Sequence, residues 1–142
     1  MKPLNHVLTT IACLGPLSSA IPVGVTDVPV AITGTLIPYL GEKAMRRKER
    51  GILHSVALWG AVLVLLGAWA APKVGPVHLW ALPLGALLHI LFDALSDKKV
   101  PLLMDPGRGI AFSIYEEDDI SEETFTWFVT LACLGLWFWK HR

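Results

Sequence analysis

A histidine and an aspartate stand four residues apart inside the apolar run Ala86-Leu87-Leu88-His89-Ile90-Leu91-Phe92-Asp93, and no other feature constrains this chain as strongly. On a helix, residues four apart lie one turn above each other, so His89 and Asp93 project together from a surface otherwise made of Leu, Ile, Phe and Ala. An ionisable residue within a long apolar segment is costly to bury unless it has a partner, and it marks a candidate functional site. The partners of this pair must come from elsewhere in the chain.

The 142 residues suit one domain, spanning 1–142, but 54% are hydrophobic, six are Trp and only 17% are charged, against about 25% charged in an ordinary globular domain. That bias points to an all-α, polytopic transmembrane helical bundle of four to five spans. Ile52–Ala71 has His54 and Ser55 as its only polar members, and at about 1.5 Å per residue its length covers a hydrocarbon core of about 30 Å. Val77–Leu95 is a second full-length span, ended by a turn at Pro72, Gly75 and Pro76 on one side and carrying His89 and Asp93 near the other. Residues 4–20 and 23–40 are shorter segments, interrupted at Gly15-Pro16 and at Pro29, Gly34 and Pro38. Thr124–Trp139 closes the chain, with Trp127, Trp137 and Trp139 where an aromatic belt places them. The Met1-Lys2 start resembles a signal peptide, but His6, Thr9, Thr10 and the Gly-Pro break favour a retained first helix. Cys13 and Cys133 sit in apolar segments, as free buried thiols do.

Lys43, Arg46, Arg47, Lys48 and Arg50 crowd into one loop, which sets that loop on the cytoplasmic side. Alternating spans then bring His6, His54, His89, Asp93 and the pair Glu122 and Glu123 to the same interface, with His78 opposite. The tail Lys140-His141-Arg142 falls outside, against the charge rule. Formal charge is zero, so no nucleic-acid partner is expected; membrane lipids are. Three imidazoles with one or two carboxylates suit zinc or a similar divalent ion with a position open for water.

The ordered motifs Asn5-His6, Leu36-Ile37-Pro38, Arg50-Gly51-Ile52-Leu53-His54-Ser55, Leu88-His89-x-x-x-Asp93 and Val100-Pro101-Leu102-Leu103 resemble the bacterial inner-membrane metal-dependent hydrolase family, the YdjM-like group. That family is distantly similar to zinc-dependent phospholipase C. The resemblance implies His6, His54, His89 and Asp93 as metal ligands, Glu123 (or Glu122) near an acidic position, and a multi-pass inner-membrane location. Two departures stand out. After Leu-x-Pro the family carries Asp-x-Asp-His, where this chain has Tyr39-Leu40-Gly41-Glu42, and the family's His-Arg-Gly has become Glu49-Arg50-Gly51. The bridging carboxylates of a two-metal mechanism are therefore missing, unless Glu42 or Glu49 takes their place.

The implied function is metal-dependent hydrolysis of a phosphoester or lipid-like substrate, with Arg50 stabilising developing phosphate charge and Glu123 assisting. The competing readings are a non-catalytic membrane scaffold that keeps a degenerate metal site, and a small effector that perturbs bilayers. For the acidic run 116–123 the plain alternative is a solvated face, and for Arg50 an anionic-lipid contact.

Overall fold

The computed structural model describes residues 1–21, 23–44, 51–70, 79–103 and 108–142. Five α-helices account for most of them: α1 (Pro3–Leu17), α2 (Asp27–Ala44), α3 (Val56–Ala70), α4 (Ala81–Leu95) and α5 (Ile120–Lys140). A 3-10 turn at Ile52–His54 precedes α3, and a minimal antiparallel pair, β1 (Val100–Pro101) and β2 (Gly109–Ile110), lies between α4 and α5. Helix α1 packs between α5 and α2, α2 packs on α4, and α4 on α3. The spatial order is therefore α5, α1, α2, α4, α3.

The expected bundle of four to five membrane spans is overturned, and with it the multi-pass inner-membrane location. Among the described residues, no helix is long and apolar enough to cross a membrane. The physical reasons lie at the helix starts. Ser55 is extended, and its hydroxyl accepts the Leu58 N–H at 3.3 Å, the bond of a helix N-cap. The apolar run from Ile52 is thus divided into a 3-10 turn and a helix of 15 residues, which reaches only about 22 Å at 1.5 Å per residue. Helix α4 likewise has 15 residues. Helix α5 has 21, but Glu122 and Glu123 occupy its first turn and Lys140 its last. Lys48, Arg50, His78 and the expected 72–76 turn lie outside the described residues.

Close helix packing is found at the α2–α4 crossing. Where α2 crosses α4, a Cβ at Gly34 would collide with the Leu82 carbonyl, and a Cβ at Gly85 would collide with the Ala31 carbonyl. Only glycine at both points permits this backbone contact. The buried Thr35 hydroxyl lies 3.0 Å from the Ala31 carbonyl oxygen and 3.1 Å from that of Gly85, and the Thr10 hydroxyl of α1 lies 2.9 Å from Thr35. Three helices are so joined by two hydroxyls that would be costly to bury unpaired. Beside them a core of Trp59, Ala86, Ile90, Ala94 and Val100 ties α3 and β1 to α4.

The segment after α4 folds back onto the helix end. Phe112 N–H donates to the Ala94 carbonyl, Ile114 N–H to that of Leu95, both at 2.8 Å, and the Tyr115 hydroxyl to that of Phe92 at 2.6 Å. The carbonyls that a helix C-terminus leaves without partners are thereby satisfied.

Glu122, fully buried, joins α1 to α5. Its carboxylate accepts the Asn5 side-chain amide at 2.5 Å, the Lys2 backbone N–H at 2.6 Å and the Asp118 N–H at 2.9 Å. Further along the same interface Trp137 packs against Gly15, and Cys13 and Cys133, both free and half-buried, face each other with Sγ atoms 3.7 Å apart.

Two outcomes follow for stability. Gly85→Ala is expected to cost about 1–3 kcal/mol or more through overpacking at the α2–α4 crossing, whereas Gly60→Ala, in the α3 interior with open space at its Cβ, is expected to add up to about 1 kcal/mol; urea unfolding measures both. For Glu122, burial pushes the carboxyl up, while the donors at Asp118, Lys2 and Asn5 pull it down to below its ordinary value. A depressed folded pKa contributes stability that is present above about pH 4.3 and lost as pH falls through the folded value. Glu122→Gln is therefore expected to lose about 1–3 kcal/mol at pH 7, with the gap to the wild type narrowing in unfolding curves taken at progressively lower pH.

Candidate metal centre

The start of α1, the ends of α2 and α4, and the 3-10 turn meet at one end of the bundle. His6 enters from the second turn of α1, His54 closes the 3-10 turn, and His89 and Asp93 stand one turn apart on α4. None of the four is more than 2% exposed. The 3-10 turn is what aims His54 inward: Trp59 Nε1–H donates to the Leu53 carbonyl at 2.8 Å, and Ala57 N–H to that of Leu102 at 3.0 Å.

The three imidazoles converge on Asp93. His6 Nε2 is 3.1 Å from Asp93 Oδ1, while His54 Nε2 and His89 Nε2 are 3.1 Å and 3.4 Å from Asp93 Oδ2. His54 Nε2 and His89 Nε2 are themselves 3.1 Å apart. The His6 and His89 rings stack at 3.7 Å between centroids, with an angle of 22° between their planes. An ion held at about 2.0–2.1 Å by tetrahedral ligands leaves those ligands about 3.3–3.4 Å from one another. The triangle of His54, His89 and Asp93 has sides of 3.1, 3.1 and 3.4 Å, close to one face of such a tetrahedron. His6, His89 and Asp93 also present ligand atoms within 4.8 Å of one another, a buried group able to hold a metal ion.

Glu42, in the last turn of α2, orients His54. Its Oε1 lies 2.6 Å from His54 Nδ1 and accepts the Gly51 N–H at 2.9 Å. A carboxylate on Nδ1 fixes the tautomer that turns Nε2 inward as a ligand, as the outer partners of metal-bound histidines do. Gly41 allows the approach of the 3-10 turn, because a Cβ there would strike the Leu53 side chain.

The electrostatics agree with this arrangement. Burial pushes the His54 imidazole down, but Asp93 and Glu42 raise it above its ordinary value. Burial and then His6 push His89 down to about 3, so it is neutral at pH 7. Burial raises the Asp93 carboxyl, but bonds from His54, His6 and His89 hold it well below the ordinary range. With Glu42 on His54 Nδ1, His54 Nε2 turns its lone pair toward His89 Nε2 and Asp93 Oδ2, and the three acceptor atoms repel one another unless something is shared between them. A proton or a divalent cation meets that need.

A cavity of about 340 Å³ opens onto the cluster, its wall including Lys2, Tyr39, Glu42, Glu117 and Asp118 besides the ligand residues. Asp118 takes a left-handed conformation, φ 64°, which an aspartate tolerates. Glu123 stands apart, exposed, with Oε1 2.6 Å from Lys2 Nζ, and reaches the cavity only through that lysine. Glu122 is occupied with the α1–α5 contact. Arg50 lies outside the described residues. Glu42, which the sequence offers as a replacement bridging carboxylate, instead stands behind His54; its spacing to Gly51 gives no signal of that role. Tyr39, Glu117 and Asp118 carry no metal-type spacing and were missed as cavity residues.

No family model, curated protein or solved structure matches the chain. If Glu42 fixes His54, Glu42→Gln is expected to weaken zinc binding about 10–100-fold, read by competition with a chromogenic chelator. Because apo His54 holds its proton above the ordinary imidazole value, zinc must displace that proton: affinity is expected to fall as pH is lowered from 8 to 6, with proton release on binding measured in weakly buffered solution.

Proposed function

We propose that the chain binds one divalent transition ion, zinc by its ligand chemistry, and hydrolyses a phosphoester admitted to the cavity beside it. The observation that carries the reading is the convergence of three imidazole Nε2 atoms on the Asp93 carboxylate, beneath a cavity of about 340 Å³. Imidazole and carboxylate ligands suit zinc. When bound, the ion supplies Lewis-acid polarisation of a phosphoryl oxygen and activation of water.

The chain's own residues divide the remaining work. Asp93 gathers the imidazoles and compensates the positive charge beside them. Glu42 holds His54 in one tautomer, and the stacked ring of His6 limits the freedom of His89. Lys2, at the cavity wall, offers a cation to phosphate oxygens, while Glu42, Glu117 and Asp118 on the same wall disfavour an anion that lacks a countercharge. Arg50 immediately precedes Gly51, whose N–H bonds Glu42, and its guanidinium stabilises developing phosphate charge. Metal analysis tests the centre, and a chromogenic phosphodiester tests the reaction. Wild-type protein is expected to retain about one zinc per chain, and His89→Ala and Asp93→Ala to lose it; equal metal in all three would sink the proposal. Zinc-dependent turnover is expected to disappear in His54→Ala.

One observation favours a second reading, a metal-binding protein without turnover. Tyr39 and Gly41 stand where the resembling family has aspartates, and Leu53 fills the space beside Gly41. Zinc retained through His89 and Asp93 with no hydrolysis of phosphoesters is its signature.

A further inference from the structure

Among the described residues, helix α5 joins the bundle through one side. Glu122 and Thr126 are buried, Cys133 and Trp137 are half-buried, and this stripe faces α1. The adjoining face carries Trp127, Leu131, Leu134 and Phe138, exposed by 60%, 62%, 43% and 60%. Their spacing of four, three and four residues is that of alternating a and d positions in a coiled-coil seam, and Thr124 and His141 extend it at the two ends. The seam is also charged asymmetrically: Asp119 and Glu123 flank its start, His141 and Arg142 its finish.

We propose that this face is covered by α5 of a second copy of the chain, running antiparallel across a two-fold axis. Antiparallel pairing of a with d layers sets Leu131 against Leu134 of the other copy, Trp127 against Phe138 and Thr124 against His141. It also brings Glu123, paired with Lys2 of its own chain, toward Arg142 just past the end of α5, whereas parallel pairing would set like charges together. A two-fold interface uses the same patch twice, and the order of charges and layers along this one reads the same from either copy. Near the C-terminal end of the seam, Gly135, Phe138, Trp139 and Arg142 line a concavity of about 580 Å³, and a Cβ on Gly135 would meet nothing within 4 Å. That opening lies where Trp127 of the other copy arrives. A large aromatic entering a pocket left by a glycine is the kind of contact that carries binding energy at interfaces.

Sedimentation equilibrium of the full chain is expected to show a dimer. Leu131→Glu, at a position exposed in the single chain, is expected to weaken it at least about tenfold with the far-ultraviolet circular dichroism unchanged. Orientation is read by cross-linking. A chain with Cys13→Ser, Cys133→Ser, Thr124→Cys and His141→Cys is expected to form an intermolecular disulfide on oxidation by copper phenanthroline, and Thr124→Cys alone in the same background is not. A chain that stays monomeric at every concentration, a monomer that associates only with lipid vesicles, a dimer indifferent to Leu131→Glu, or cross-linking through Thr124→Cys alone would each overturn the proposal.

Discussion

Asp93 is a carboxylate held out of water at 2% exposure with three imidazoles around it. Such a group is tolerable only when charge and hydrogen bonding compensate the lost hydration, and the local structure follows from that demand. Helix α1 must present His6, the 3-10 turn must present His54, and the chain after α4 must return to cover the carbonyls of the turn that bears Asp93. Removing any one imidazole leaves the carboxylate under-compensated, so the site and the fold at this end of the bundle share one set of interactions.

The helices reach that arrangement because two glycines and two threonines allow α1, α2 and α4 to approach closely. Polar groups recur through this packing. Thr10 and Thr35 bridge helices, Glu122 gathers donors from α1 and from its own first turn, and Ser96 donates to the Asp93 carbonyl at 2.7 Å. A bundle held largely by apolar side chains would tolerate sliding between helices, whereas each of these bonds is satisfied in one register.

Much of the site was legible in the chain. The i, i+4 relation of His89 and Asp93 fixes their shared face on any helix, and the placement of His6 and His54 at ends of apolar segments sets them near that face if neighbouring helices alternate in direction. The membrane reading failed for a physical reason. An apolar run reports hydropathy and not helix length, and the helices formed in the two longest runs, α3 and α4, have 15 residues each. Helix starts were equally hidden: Ser55 reads as one polar residue in an apolar span until its hydroxyl is seen to cap Leu58. Glu42 belonged, by its sequence neighbours, to a basic loop; it became legible only once α2 extended to Ala44 and carried it behind His54.

The Gly34–Gly85 crossing has a mechanical consequence. It clamps α2 and α4, and both helices run on from the clamp to the metal centre. At about 1.5 Å per residue, His89 lies about 6 Å past Gly85, and Asp93 and Glu42 about 12 Å past Gly85 and Gly34. Helix α4 is held again beyond the crossing, by the core of Trp59, Ile90 and Ala94 and by the bonds of Phe112, Ile114 and Tyr115 to its last turn, so His89 and Asp93 are fixed from both sides. The same coupling works in reverse: a rotation of a few degrees at the clamp would be carried along both helices, and the spacing of the nitrogens would register a change made about one to two turns away.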